Sequence, residues 1–377
     1  MKKILFFGIS MLLLFACNKN DEQAPVMFKV PLGNANDISY RSVVPTKDGY
    51  VLSRSRKTIE FGTEVTKFET AFADQNGVIQ EVNTLSLSDF YFIDDIITTR
   101  NGDVVAVGRI NDQSLGPYGT SSFIARFDGK GKPIWTQTIP SNVPLVSFSR
   151  EESPYDVIET SDNRLVVAVA FWQGDGPNYE KNTIVCLNEQ GNILWRKLLP
   201  PVRSECRSML AYEDGSIILS HQVFNYWDPS QNTFILITKL DKNGNLLWTQ
   251  STQDSSFPFA SLATIGSDIY FAIDNLGAYE AYALYKSTTS GTISLIRNFT
   301  TMEHPHTILT TDDNHLLIFG YSQNSPQAQL VKQDGTEIWL KQTNANAYNG
   351  IKPCPDGGFV YIADNTLYKT DKELNYE

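Results

Sequence analysis

Three groups of side chains in this sequence have the types needed for chemistry. The first combines Asp94, Asp95 and Asp156 with Arg41, Arg203 and Arg207, and has Tyr40, Tyr155, Tyr348 and Asn349 beside comparable runs. Two carboxylates can serve as acid and base at a glycosidic bond, and arginine forks can hold an anionic or hydroxylated ligand bidentately. The second is His304-x-His306, two ligands for a metal. Neither a third histidine nor a carboxylate stands at a spacing that completes a zinc-type site, so no metal is expected. The third is aromatic: Tyr118, Trp172, Tyr179, Tyr226, Trp227, Tyr279 and Tyr282, with Phe257 and Phe259. Such rings stack on sugars or dock a protein. The sequence has no Gly-x-Ser-x-Gly, His-Glu-x-x-His or P-loop. Asp241-Lys-Asn-Gly-Asn245 begins like a calcium loop, but the bidentate glutamate such a loop needs is absent, and it reads as a hairpin turn. Catalytic residues and cofactors are therefore both expected to be none.

Internal repeats supply the elements that must carry these groups. One unit is a tight turn followed by an apolar run, at Asp48-Gly49, Asn101-Gly102, Asp162-Asn163, Asp214-Gly215, Ser267-Asp268, Asp313-Asn314 and Asp356-Gly357. A second unit alternates with it and places tryptophan four residues after glycine: Gly131 and Trp135, Gly191 and Trp195, Gly244 and Trp248, Gly335 and Trp339. Degenerate copies keep the frame at Asp74…Gly77 and at Gly291, and a truncated copy starts at Asp371. Tight hairpins need positive φ, which Gly, Asn and Asp tolerate. The repeating unit is thus two hairpins, and no helical periodicity longer than a few turns competes with it. The expectation is an all-β chain, a seven-bladed β-propeller of four-stranded antiparallel blades over residues 26–377. The strand Val26–Val30 should complete the last blade and close the ring.

The Asp…Gly-x-x-x-Trp pattern resembles that of the quinoprotein-like propeller superfamily over essentially all of residues 26–377. The resemblance implies that Trp135, Trp195, Trp248 and Trp339 pack between adjacent blades. Quinoprotein dehydrogenases often carry an adjacent cysteine pair, and this chain has none. The resemblance therefore points to the non-catalytic branch typified by BamB, the lipoprotein propeller of outer-membrane barrel assembly, from which this chain differs in its longer blades and more aromatic loops. In such a ring the tight turns lie on one face. The connections 111–121, 139–154, 172–182, 224–232 and 276–282 lie on the other, where variable loops build sites. The heads of the innermost strands then ring a mixed-charge funnel holding Arg41, Asp95, Asp156, Arg207, His304 and His306.

Residues 1–16 read as an export signal, with Lys2 and Lys3 ahead of an apolar run too short to span a bilayer comfortably. Leu14-Phe15-Ala16-Cys17 resembles a bacterial lipobox, which implies acylation of Cys17, a tether over 17–25, and anchorage at the outer membrane. Asp21-Glu22 resembles the export tag of Bacteroidetes surface lipoproteins. The formal net charge is −11, which speaks against nucleic acid. Cys186, Cys206 and Cys354 fit no metal or redox spacing and read as small buried residues, with room for one disulfide. The function expected is that of a monomeric, non-catalytic module binding a protein or glycan through the loop face. The alternative is an envelope glycan hydrolase or lyase with its site in the funnel.

Overall fold

Asp74, Asp128, Asn188, Asp241 and Asp371 each fold their own hairpin turn. In every case the side-chain Oδ1 accepts the backbone N–H groups two and four residues on, at 2.8–3.1 Å. The residue three places on must then adopt positive φ. Glycine supplies it at Gly77, Gly131, Gly191 and Gly244 (77–83°), and Leu374 takes that role in the last copy.

The first four of these turns join the third and fourth strands of four-stranded antiparallel units, and the fifth follows the strand Thr366–Thr370. The computed structural model describes residues 26–33, 37–85, 90–115, 119–139, 150–173, 180–199, 204–223, 234–252, 261–274, 282–322, 325–344 and 350–376. Among them every regular element is a strand, apart from the 3-10 turn Gln113–Leu115. Five sheets have four strands. A sixth has eight, because two four-stranded units are bridged in parallel at Glu151 and Thr120.

The first strands of successive units are Ile38–Thr46, Phe90–Thr98, Arg150–Glu159, Ser204–Ala211, Leu262–Ile265, Glu303–Thr310 and Lys352–Pro353. The first six pack against one another in order, and Ile38–Thr46 also packs on Lys352–Pro353. The core is divided into clusters, each shared by two consecutive units. Val44, Phe68, Ile96 and Phe123 form one, and Leu284, Phe299, Ile308 and Ile318 another. Phe28, Tyr40 and Val43 meet Val360, Ile362 and Leu367 in a cluster joining the last unit to the first. There the N-terminal strand Phe28–Pro31 pairs antiparallel with Thr366–Thr370.

The tryptophans stand between units, with a difference from the expectation: they are half-buried on the fourth strands rather than enclosed. A Cβ added at Gly191 would meet the Trp135 ring at 3.1 Å, and one at Gly244 would meet Trp195 at 2.7 Å. Trp135 Nε1 donates to the carbonyl of Glu189 (3.0 Å), and Trp248 Nε1 to that of Thr289 (3.1 Å). At Trp195 the equivalent carbonyl, that of Lys242, instead accepts from Arg164 (2.8 Å), and the indole N–H has no hydrogen-bond partner among the described residues.

Cys186, Cys206 and Cys354 are buried free thiols, so the disulfide left open by the sequence does not form among them. Burial pushes the Cys186 thiol up to about 11 and Cys354 to about 12, which makes them inert. No helix among the described residues is long and apolar enough to cross a membrane.

Candidate functional site

The first strands do not run regularly to the loop face. Pairing with the second strand slips at Arg41, at Asp94, at Tyr155, at Arg207 and across His304–His306. Each slip is a bulge that re-aims a side chain toward the loop-face end of the inner strands. Two glycines admit these bulges. A Cβ at Gly108 would lie 2.2 Å from the Phe92 carbonyl oxygen, and one at Gly320 would lie 2.8 Å from that of His304. Sequence reasoning passed over both, although a glycine inside an apolar strand is the usual sign of such an approach.

The residue after the bulge is structural. Asp95 accepts from the Val157 N–H (3.3 Å), Asp156 from the Met209 N–H (2.5 Å), and Ser208 from the Leu262 N–H (3.2 Å). Each ties one first strand to the next. Asp95 and Asp156 are also hydrogen-bonded to each other, and Lys352 reaches Asp95 at 3.2 Å. Burial, then the neighbouring Asp95 carboxylate, holds Asp156 well above the usual carboxylate range. Carboxyls in direct contact leave no room for the separation that glycoside hydrolysis requires.

Arg41 and Asp94 belong to a different cluster. Both Asp94 oxygens accept from Arg109, at 2.9 and 3.1 Å. Burial nevertheless pushes the Asp94 carboxyl up to about 7, with Arg109 pulling the other way. The Arg41 and Arg109 guanidinium groups lie 3.5 and 4.8 Å from the Phe92 ring centroid. Arg207 lies 5.7 Å from the Tyr155 ring and donates to Gln222 at 3.1 Å.

His304 and His306 stand at another junction, on the strand Glu303–Thr310. His304 has φ of +49° and its Nδ1 is bonded to the buried Asp274 carboxyl, while the ring is about half exposed. Burial raises Asp274, against the pull of His304. His306 packs edge-on to Tyr321 at 5.3 Å, and burial followed by His304 lowers it to about 4. Among the described residues no three His, Cys, Asp or Glu side chains converge as a metal site.

Of the expected site residues, Cys17, Tyr118, Tyr179, Arg203, Tyr226, Trp227, Phe257, Phe259, Tyr279, Tyr348 and Asn349 lie outside the described residues. Trp172 belongs to the strand Leu165–Gln173, its backbone paired with Glu151 and Glu180, rather than to a loop. Tyr282 is corrected: it is fully buried, stacked on Phe299 at 4.6 Å, and its hydroxyl donates to Gln329 Oε1 at 2.5 Å. Tyr40 is likewise buried, its hydroxyl accepting from Arg54 at 3.1 Å.

A further loop-face feature was not foreseen. The strands Gly49–Glu60 and Thr63–Asp74 pair along their whole length, whereas their neighbours pair only as far as Arg56 and Phe68. Residues 58–66 therefore overhang the sheet. The tip carries Phe61 and Ile59 with relative exposures of 108% and 79%. Phe61 and Gly62 both have positive φ, 51° and 83°, which a β-hairpin turn of two residues requires and phenylalanine disfavours.

A sequence profile described as outer membrane protein assembly factor BamB matches residues 120–374. No curated protein sequence matches the chain. Among solved structures it is similar to a streptogramin B lyase (TM-score 0.58, 15% identity, covering 91% of this chain and 96% of that one). It is also similar to virginiamycin B lyase from Staphylococcus aureus (0.55, 14%, 91% and 98%) and to the Dos1 propeller (0.55, 12%, 93% and 85%). At these identities the likeness is one of fold, and the fold is a β-propeller.

Proposed function

The chain belongs to the family of outer membrane protein assembly factor BamB, and from that premise we propose that it is an envelope lipoprotein whose propeller binds a partner protein. The ring has seven blades, and the strand Phe28–Pro31 closes it; the pairing of that strand with Thr366–Thr370 and the cluster shared by last and first units support this. Cys17 carries the lipid and places the protein at the outer membrane.

The observation that carries the binding role is the hairpin tip. A fully exposed phenylalanine in a left-handed turn costs stability on two counts, and such conflicts persist where function needs them. The tip also lies at the opposite end of the sheet from Val26, the first described residue after the expected tether. Val26 lies on the turn face beside Pro45, Lys47, Gln75 and Pro355, and the strand it starts runs from there toward the loop face. The funnel carboxylates add to the case, because Asp95 and Asp156 serve as backbone acceptors between units.

The test is capture from a detergent extract of the envelope by the mature chain and by Phe61→Asn. A specific protein captured by the first and lost by the second supports the role; equal capture by both removes the hairpin from it. Cys17→Ala should leave the membrane fraction, and a variant that stays bound would overturn the lipid anchor.

One observation favours a second reading, an envelope enzyme. His304 is strained, is oriented through Nδ1 by a buried carboxyl, and is exposed on its remaining side, the arrangement of a general base. Turnover of envelope glycans that His304→Ala abolishes and Asp274→Asn slows would establish it.

A further inference from the structure

We propose that Arg41 holds the carboxylate of a small organic acid at the loop-face end of the innermost strands, a site independent of both the anchor and the hairpin. Arg41 is the extra residue of its bulge, is exposed, and makes no hydrogen bond or ion pair among the described residues. Its guanidinium is nonetheless held in one place, 3.5 Å from the Phe92 centroid. A guanidinium stacked on a ring keeps its donor edge outward, and that planar fork matches a carboxylate.

The natural internal acceptor is already taken. Asp94 lies close enough to act on Arg41 electrostatically, but Arg109 engages both of its oxygens. Arg109 also lies against Phe92, so two cations share one ring while only one has its counter-ion. The charge balance points the same way. Burial pushes the Asp94 carboxyl up to about 7, so near neutrality it is only partly ionised and offers Arg41 less counter-charge. A cationic spot in a chain of net charge −11 is a local device, and it selects an anion. Gly108 is part of the construction, since a side chain there would displace the Phe92 backbone that sets the ring.

Calorimetric titration of the mature chain in nonionic detergent at low salt tests this with three probes: tri-galacturonate, its methyl ester, and inorganic pyrophosphate. The acid should bind and the uncharged ester should not. Arg41→Ala should weaken binding about tenfold or more, consistent with loss of a charge-assisted hydrogen bond. Arg41→Lys should recover little of it, because an ammonium cannot stack or fork. Phe92→Leu should weaken binding with the melting temperature almost unchanged, which separates loss of the stack from loss of the fold. Equal binding of the ester, binding of pyrophosphate in preference to the acid, no binding of the acid, or an unaffected Arg41→Ala would each overturn the proposal. Partner capture and membrane release are read separately, so failure here leaves the binding role standing.

Discussion

Phe28 lies over Gly77 as Trp135 lies over Gly191. A Cβ at Gly77 would come within 2.5 Å of the Phe28 ring, as one at Gly244 would come within 2.7 Å of Trp195. The N-terminal strand thus brings its own aromatic to the junction between last and first units, where no tryptophan of the repeat is present. Phe28→Ala should lower stability by about 3 kcal/mol, in the range for emptying a buried aromatic site. Phe28→Trp should retain most of it. Urea midpoints with unchanged slopes would measure both, and a loss below 1 kcal/mol for alanine would show that the junction does not depend on the ring.

Asp156 gives a prediction about roles. Asparagine keeps an oxygen for the Met209 N–H, whereas alanine leaves that buried donor unpaired. Asp156→Ala should cost about 1–3 kcal/mol and Asp156→Asn clearly less. Equal losses would mean that the carboxyl acts through its charge and not as a tie between strands.

Gly108 and Gly102 separate two demands on glycine. Gly102 has φ of +88° and open space around it, so alanine there should cost about 1 kcal/mol of backbone strain. At Gly108 the added Cβ would collide with the Phe92 carbonyl oxygen at 2.2 Å, so alanine should cost distinctly more and should weaken carboxylate binding as well. Equal destabilisation by the two changes would contradict the close approach.

His221 predicts a pH dependence. It is 3% exposed, neither ring nitrogen has a hydrogen-bond partner among the described residues, and burial lowers it to about 4. The unfolded chain takes up this proton near pH 6.5. Between 6.5 and 4 the unfolded state therefore binds more protons than the folded one, and stability falls as the pH falls. At pH 5 this one group accounts for about 2 kcal/mol. His221→Leu should be at least as stable as wild type at pH 7 and should lose about that much less on going to pH 5. Comparing the two proteins isolates His221 from Asp94 and Asp156, whose raised values act with the opposite sign. An identical pH response in both would contradict the assignment.

The turns, their spacing and the strands between them were legible in the sequence because their causes are local. An Asp or Asn that accepts two backbone N–H groups and a glycine at positive φ act within five residues, and Gly131 to Trp135 or Gly191 to Trp195 repeats that local code. The pairing partner of Phe28–Pro31 could be anticipated because the last repeat stops one strand short. The sequence alone could not sort the polar residues at the heads of the inner strands. Asp95 and Asp156 look like a catalytic pair in one dimension, yet each is bonded to the backbone of the following unit, more than 50 positions away. Arg41, Asp94 and Phe92 come together only through bulges, and a bulge is set by what the neighbouring strand leaves room for. Tyr282 reads as a loop aromatic until Phe299 and Gln329, from two different strands, enclose it. Local hydrogen bonding decided the repeat, whereas long-range packing between repeats decided which of its polar side chains tie neighbouring units together and which do not.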